Sequence, residues 1–180
     1  MHNRPTEADS ELGVWLVFFS TYESAIDAKG RVSVPASFRA ALGGVSRIYV
    51  WPSFDGRSCL EAGGEALMGD YRQILSRMSP SDPAREAIVH AVFGRSADLK
   101  MDDPGRIKLP DAMLDYAGIE KQVVFVGAFD RFRIWSPDRF AAYDAEMAVE
   151  AAANRNKLDA PFQSALAAGA LSARTGEDGE

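Results

Sequence analysis

Apolar and polar positions alternate along this chain in a pattern that occurs twice. Val32-Ser33-Val34 and Ile107-Lys108-Leu109 each place apolar side chains on one face and a polar one on the other, as a half-buried strand does. A turn sequence stands ahead of each run: Asp27-Ala28-Lys29-Gly30 before the first, Asp102-Asp103-Pro104-Gly105 before the second. Gly supplies a positive φ in such a turn, and Asp bonds the amides that follow it. A proline, Pro35 or Pro110, ends each run and suits the first turn of a helix. The pattern therefore predicts helices over 36–42 and 111–117, closed by Gly43 and Gly118, and then strands over 47–51 and 122–126. The two passages lie 75 residues apart, and the same offset carries Phe54-Asp55 onto Phe129-Asp130 and Leu60 onto Trp135. An offset kept over some forty residues marks an internal duplication, 22–60 repeated as 97–135.

Outside the repeats the signals are simpler. The run Val14-Trp15-Leu16-Val17-Phe18-Phe19 predicts a first strand over 14–20, with Ser20 able to sit in a bend or bulge. Six apolar residues are too few to cross a bilayer, and the flanks lack the features of a signal peptide. Residues 1–10 are polar and predicted to be loose. Residues 61–77 read as a helix interrupted by Gly63-Gly64 and Gly69, with Leu67, Tyr71, Ile74, Leu75 and Met78 on one stripe. Ser81 or Asp82 is placed to cap a helix over 84–93, with Pro83 at its first turn. Arg131-Phe132-Arg133-Ile134-Trp135 alternates again, and Ser136-Pro137 opens a helix reaching 153 through Phe140, Tyr143 and Met147. Beyond it the chain turns polar and acidic, and the last dozen residues are predicted to be disordered. The expected division is a first unit over 14–62, a helical connector over 63–94, a second unit over 95–138, and a C-terminal helix with a flexible tail over 139–180. The fold class is mainly β with flanking helices.

Composition narrows what such a chain does. With 47% hydrophobic residues in 180 it has enough to build a core, but a repeat of about forty residues buries little surface alone. The repeats are expected to pack on each other and on further subunits. A net charge of −6 excludes a uniformly basic nucleic-acid binder, though not a local basic face. The single cysteine, Cys59, offers neither a disulfide framework nor a metal cluster, fits a reducing cytoplasm, and reads as a small buried hydrophobe. His90 reads as structural or exposed. No phosphate loop, dinucleotide fingerprint, histidine pair or nucleophile triad is present, so no catalytic residue, metal or cofactor is expected. Asp102-Asp103 is read as turn capping rather than as paired acid–base carboxylates. The arginines leave two readings open. Asp27 with Arg31, and Asp102 with Arg106, form internal pairs that lock each turn; or the arginines face phosphates and guanine edges. The two are compatible if each carboxylate orients its arginine. The first copy carries a basic excess through Lys29, Arg31, Arg39, Arg47 and Arg57, while the second is slightly acidic.

Two passages, Phe19-Ser20-Thr21-Tyr22-Glu23 and Ile26 through Pro35 with Ala36, Phe38 and Arg39, closely resemble the MraZ family. Met101-Asp102 with Gly105 to Ile107, Leu109 and Pro110 does so too, as does Val126-Gly127 with Phe129, Asp130, Phe132, Ile134 and Trp135. The likeness spans about 17–150. The family's Asp-x-x-x-Arg hallmark is met by Asp27 with Arg31 and by Asp102 with Arg106, around Gly30 and Gly105, and Lys29 and Arg39 match positions usually basic in its first copy. The resemblance implies two AbrB-like (SpoVT-AbrB) swapped-hairpin β units forming a pseudo-twofold barrel, assembled as a homo-oligomeric ring. It implies a DNA-binding transcription regulator of the cytoplasm and nucleoid. Such a protein binds double-stranded operator DNA with tandem G-rich repeats and usually represses its own division and cell-wall operon. It implies no enzymatic activity, no membrane and no small-molecule substrate; the alternative is a ring-forming structural or interaction protein that does not bind DNA. The DNA-binding residues are expected to be Lys29, Arg31, Arg39 and Arg106, oriented by Asp27, Gly30, Asp102 and Gly105. Local charge favours Arg31, with Lys29 and Arg39 on phosphates, because Asp102, Asp103 and Asp111 stand close to Arg106 in sequence. The longer N-terminus and the tail beyond 150 depart from the family and leave the motifs untouched.

Overall fold

The computed structural model describes residues 17–167. In the first copy, β1 (Thr21–Ala25) enters the Asp27 turn, and β2 (Arg31–Ser33) leaves it; α1 (Ala36–Ala41) follows Pro35, and β3 (Arg47–Pro52) and β4 (Leu60–Gly63) form a hairpin. Helix α2 (Glu65–Ser76), helix α3 (Pro83–Val89) and a π-helical turn (His90–Gly94) lead to the second copy. There β5 (Ala97–Lys100), β6 (Arg106–Lys108), α4 (Asp111–Ala117), β7 (Gln122–Ala128) and β8 (Arg131–Trp135) repeat the order, and α5 (Pro137–Ala153), a 3-10 turn (Arg155–Lys157) and α6 (Asp159–Ala167) follow. Contacts divide the chain after Phe140 into two compact units, and both repeats lie in the first.

The copies interleave. The main sheet runs β1-β7-β8-β4-β3-β5, with β1 and β5 at its ends, and β2 pairs with β6 in a separate ribbon. Thus β1 pairs with a strand of the second copy, and β5 with one of the first. Ala25 opposes Gln122, and Lys100 opposes Arg47, which is the same pair under the 75-residue offset. In the ribbon Arg31 opposes Lys108, and Ser33 opposes Arg106, again the same pair exchanged. The duplication is therefore a structural near-twofold. Its physical basis is area: one copy leaves strand edges and an apolar face that only the other copy covers.

The main core fills the space between ribbon and sheet. Val32, Val34, Phe38, Ile107, Leu109 and Met113 meet Ile48, Val50, Leu60, Ala62, Val123, Phe125, Phe132 and Ile134. Phe38 is central, with the Phe132 ring at 5.0 Å and the Phe18 and Tyr22 rings at 5.4 Å. Alternation along β3 sends Tyr49 and Trp51 to the other face, where Leu67, Met68, Val92 and Ile88 form a second cluster.

Some expectations change. Residues 61–63, read as the start of a helix, are strand: Glu61 and Ala62 pair with Arg133 and Phe132 of β8, and this tertiary ladder overrides the local pattern. Gly64 then caps a helix that starts at Glu65. Of the predicted strand over 14–20, residues 14–16 lie outside the described residues; Phe18 makes a single bridge to Phe129, and Ser20 at φ 74° bends the chain before β1. Beyond α5, residues 155–157 form a 3-10 turn and 159–167 a helix, while the readings for residues 1–10 and the last dozen lie outside the described residues. Of the two cap candidates, Ser81 and Asp82, it is Asp82 that caps α3, accepting from the Ala84 amide. Cys59 is buried, and burial pushes its thiol up to about 12, which suits a packed hydrophobe and not a nucleophile. His90 is exposed.

Candidate nucleic-acid interface

Both Asp-x-x-Gly-Arg turns fold the same way. Asp27 Oδ1 accepts from the amides of Lys29 at 2.8 Å and Arg31 at 2.9 Å, and the Gly30 amide donates to the Asp27 carbonyl at 2.9 Å. Gly30 holds φ 74°, a left-handed value that side chains with a Cβ disfavour. Asp102 Oδ1 likewise accepts from the Arg106 amide at 2.7 Å, the Gly105 amide donates to the Asp102 carbonyl at 2.8 Å, and Gly105 holds φ 84°. With Oδ1 spent on the turn, Oδ2 takes the arginine: Arg31 Nη2 donates to Asp27 at 2.8 Å, and Arg106 Nη2 to Asp102 at 2.8 Å.

Pairing of β2 with β6 then brings the two turns together. Arg31 Nη1 lies 3.4 Å from Asp102 Oδ2, and Arg106 Nη1 lies 3.8 Å from Asp27 Oδ2. Four charges from both copies form one neutral quartet at the seam. The side chains of Arg31 and Arg106 are 27% and 30% exposed, so their surroundings are nearly alike. The bond from the Arg31 guanidinium, with the Arg31 and Lys29 amides, holds Asp27 down at about 2, below the usual carboxylate range. Arg106 lowers Asp102 by the same means. Each carboxylate therefore stays ionised and fixes its arginine. Sequence adjacency set Asp102 against Arg106 alone; in the structure it is shared with Arg31.

Around the quartet the copies differ. Arg39, on α1 of the first copy, donates from Nε to the Val34 carbonyl at 3.2 Å, and its side chain lies across Gly105 of the second. A Cβ at Gly105 would come within 2.5 Å of Arg39 Cδ. Lys29 is exposed. Lys108, which sequence reading left out, stands opposite Arg31 on the outer face of the ribbon, because its neighbour Ile107 turns inward. The alternation of 107–109 contained that signal. All four expected DNA-binding residues, Lys29, Arg31, Arg39 and Arg106, thus border the seam between the turns.

A second polar group has no local signal in the sequence. Glu61, buried on β4, takes Arg131 at 3.2 Å and Arg133 at 3.4 Å, and Arg131 also bonds the Tyr71 hydroxyl and stacks 5.4 Å from its ring. Asp55 pairs with Arg57 and Arg133. These contacts tie the β4–β8 junction to α2, and their charges are spent internally. Among the described residues no group of His, Cys, Asp and Glu is arranged to hold a metal, and no helix is long and apolar enough to cross a membrane.

Comparison with known proteins agrees with this layout. The family model "MraZ protein, putative antitoxin-like" matches residues 17–88 and 92–160. A protein of Hyphomonas neptunium named "Transcriptional regulator MraZ" is 51% identical over 131 residues, which is 73% of this chain and 79% of that one. Proteins of the same name from Caulobacter vibrioides and Beijerinckia indica are each 41% identical, over 72% and 77% of this chain and 83% and 82% of theirs.

Proposed function

The chain belongs to the MraZ family of transcriptional regulators, and on that premise we propose that it binds double-stranded operator DNA through the paired Asp-x-x-Gly-Arg turns. The observation that carries this reading is the quartet. Two arginines from two copies are held side by side, on one face, by carboxylates that stay ionised. An arginine fixed in this way keeps outward N–H donors in one geometry, which reading of a guanine edge requires. Asp27 and Asp102 orient, Gly30 and Gly105 let the turns form, Arg31 and Arg106 contact bases, and Lys29 and Arg39 contact phosphates.

In this reading the protein is a sequence-specific regulator, usually a repressor of its own division and cell-wall operon, in the cytoplasm at the nucleoid. The interleaved strands are two swapped-hairpin AbrB-like units of a pseudo-twofold barrel. Residues 14–62 and 95–138 are the two AbrB-like units that supply the DNA face, 63–94 is the helical connector, and 139–180 is the C-terminal helix and tail. A homo-oligomeric ring presents one such face per subunit to tandem G-rich repeats, so that each weak contact raises the local concentration for the next. The negative net charge is compatible with this, because the basic groups cluster at the seam while acidic residues accumulate after Ser136.

The test is gel retardation of duplexes carrying one, two or four G-rich repeats, with a scrambled duplex of equal length. Retardation that rises steeply with repeat number, and is weak on the scrambled duplex, is the expected result. No retardation of any duplex by an assembled protein would replace this reading with a ring that serves interaction alone.

A further inference from the structure

The near-twofold leaves the two turns unequal in a way that neither repeat displays alone. The counterpart of Lys29 in the second copy is Pro104, so the second turn has no lysine of its own. The second copy does carry a lysine in the ribbon, Lys108, whose counterpart in the first copy is Ser33. Antiparallel pairing sets Lys108 opposite Arg31, and Ser33 opposite Arg106. Lys108 Cε lies 3.6 Å from where a Cβ on Gly30 would stand, so its stem runs over the first turn and not over its own.

Charge accounting makes this position matter. Arg31 and Arg106 are neutralised by Asp27 and Asp102 within the quartet. Phosphate attraction, and the salt dependence that goes with it, must come from cations that are not already paired. Lys108 is exposed, and its side chain has no hydrogen bond or ion pair among the described residues; the same holds for the ammonium of Lys29. Around the first turn, therefore, two lysines from different copies flank one oriented arginine. Around the second turn stand Ser33, Arg39, Lys100 and the exposed Asp103, whose carboxylate offsets one of the two cations.

We infer that Lys108 is a phosphate-binding residue of the first turn, contributed across the seam by the second copy, and that with Lys29 it forms a two-lysine clamp on one strand of the DNA backbone beside Arg31. The inference rests on the proposed DNA-binding reading and extends it. The clamp is composite: no single repeat contains it, and it makes the first turn the more positive end of the ribbon.

Lys108→Met keeps the aliphatic stem over Gly30 and removes the charge; Lys108→Arg keeps the charge. Each is titrated against the repeat duplex and the scrambled duplex at two salt concentrations, with assembly size and melting temperature measured. Arg72→Ala, on α2 beside the second hydrophobic cluster, is the control. For Lys108→Met the expected result is weaker binding to both duplexes by the same factor. The slope of log affinity against log salt should fall by about one for each subunit engaged. Lys108→Arg should bind as the parent does. If the parent binds the repeat duplex and Lys108→Met binds with the parent's slope, the inference fails and the DNA-binding reading stands. A loss confined to the repeat duplex would also overturn it, because that is the mark of a base contact. If the parent retards neither duplex, the DNA-binding reading itself fails and takes the clamp with it.

Discussion

The two Asp-x-x-Gly-Arg turns share one backbone, yet one is covered and the other open. Gly105 is buried under Arg39, whereas Gly30 meets only the tip of Lys108. The covering side chain comes in each case from the other copy. A duplicated sequence thus keeps its local chemistry while its surroundings differ, because the neighbours across the seam are different residues in the two copies. On α1 the residue facing the second turn is Arg39; its counterpart on α4 is Leu114. The seam is where a repeat protein with two equal halves becomes one with distinct ends.

The largest effect expected from breaking this comparison is at Gly127, whose counterpart in the first copy is Pro52. A Cβ there would stand 2.3 Å from the Phe18 carbonyl oxygen, and backbone gives way less easily than a side-chain tip. Gly127→Ala should expel Phe18, which is only 5% exposed and packs on Phe38 and Phe132. The cost should approach that of deleting a buried Phe, about 3 kcal/mol, read by denaturant unfolding. A variant that unfolds at the parent's midpoint would show that the 18–129 bridge is not part of the stable fold.

Next come the arginines. Arg31→Ala and Arg106→Ala should each reduce discrimination between the repeat and scrambled duplexes, on the scale of roughly 1–3 kcal/mol for a lost base contact. Arg31→Ala should lose more, because Lys29 and Lys108 hold its turn to the DNA backbone, whereas Asp103 offsets part of the charge of Arg39 and Lys100 at the other. Equal losses would show that the shared quartet outweighs the flanking charge. A dominant Arg106 would reverse the assignment of the two ends.

The turn glycines separate a smaller term. Gly30→Ala and Gly105→Ala both place a side chain at positive φ, which costs roughly 1–2 kcal/mol. Gly105→Ala must also displace Arg39 and its bond to the Val34 carbonyl, adding about 1 kcal/mol. In an Arg39→Ala background the two glycine variants should cost the same. An excess at Gly105 that persists there would remove Arg39 as its cause.

The smallest effect is the acid response. Asp27 is held at about 2 when folded, below its ordinary value, so the unfolded chain binds its proton first as pH falls. Its stabilising contribution is complete above the ordinary carboxylate range and is lost as pH drops towards 2. Thermal melts between pH 5 and pH 2 should fall more steeply for the parent than for Asp27→Asn. Parallel curves would mean that the quartet does not couple to folding.

Much of this was written locally in the chain. The turn motifs, the alternation of 31–34 and 106–109, the prolines that open α1 and α4, and the Asp82 cap are short-range signals and appear where the pattern placed them. The 75-residue offset likewise determined that two like units would occur, and the Asp–Arg spacing allowed an internal pair in each turn, which the structure forms. Glu61 departs from its helical pattern for a physical reason: followed by glycines and a helix, it is held in a strand by pairing with Arg133 more than seventy residues away. Only the tertiary structure decided that β1 and β5 exchange partners, that Asp27, Asp102, Arg31 and Arg106 share one site, and that Arg39 and Lys108 each lean on the opposite copy's glycine. Sequence spacing fixes which side chains meet within a turn, where the backbone allows few conformations. Which copy faces which depends on how two half-cores bury their apolar faces together, and that is a property of the whole packed body.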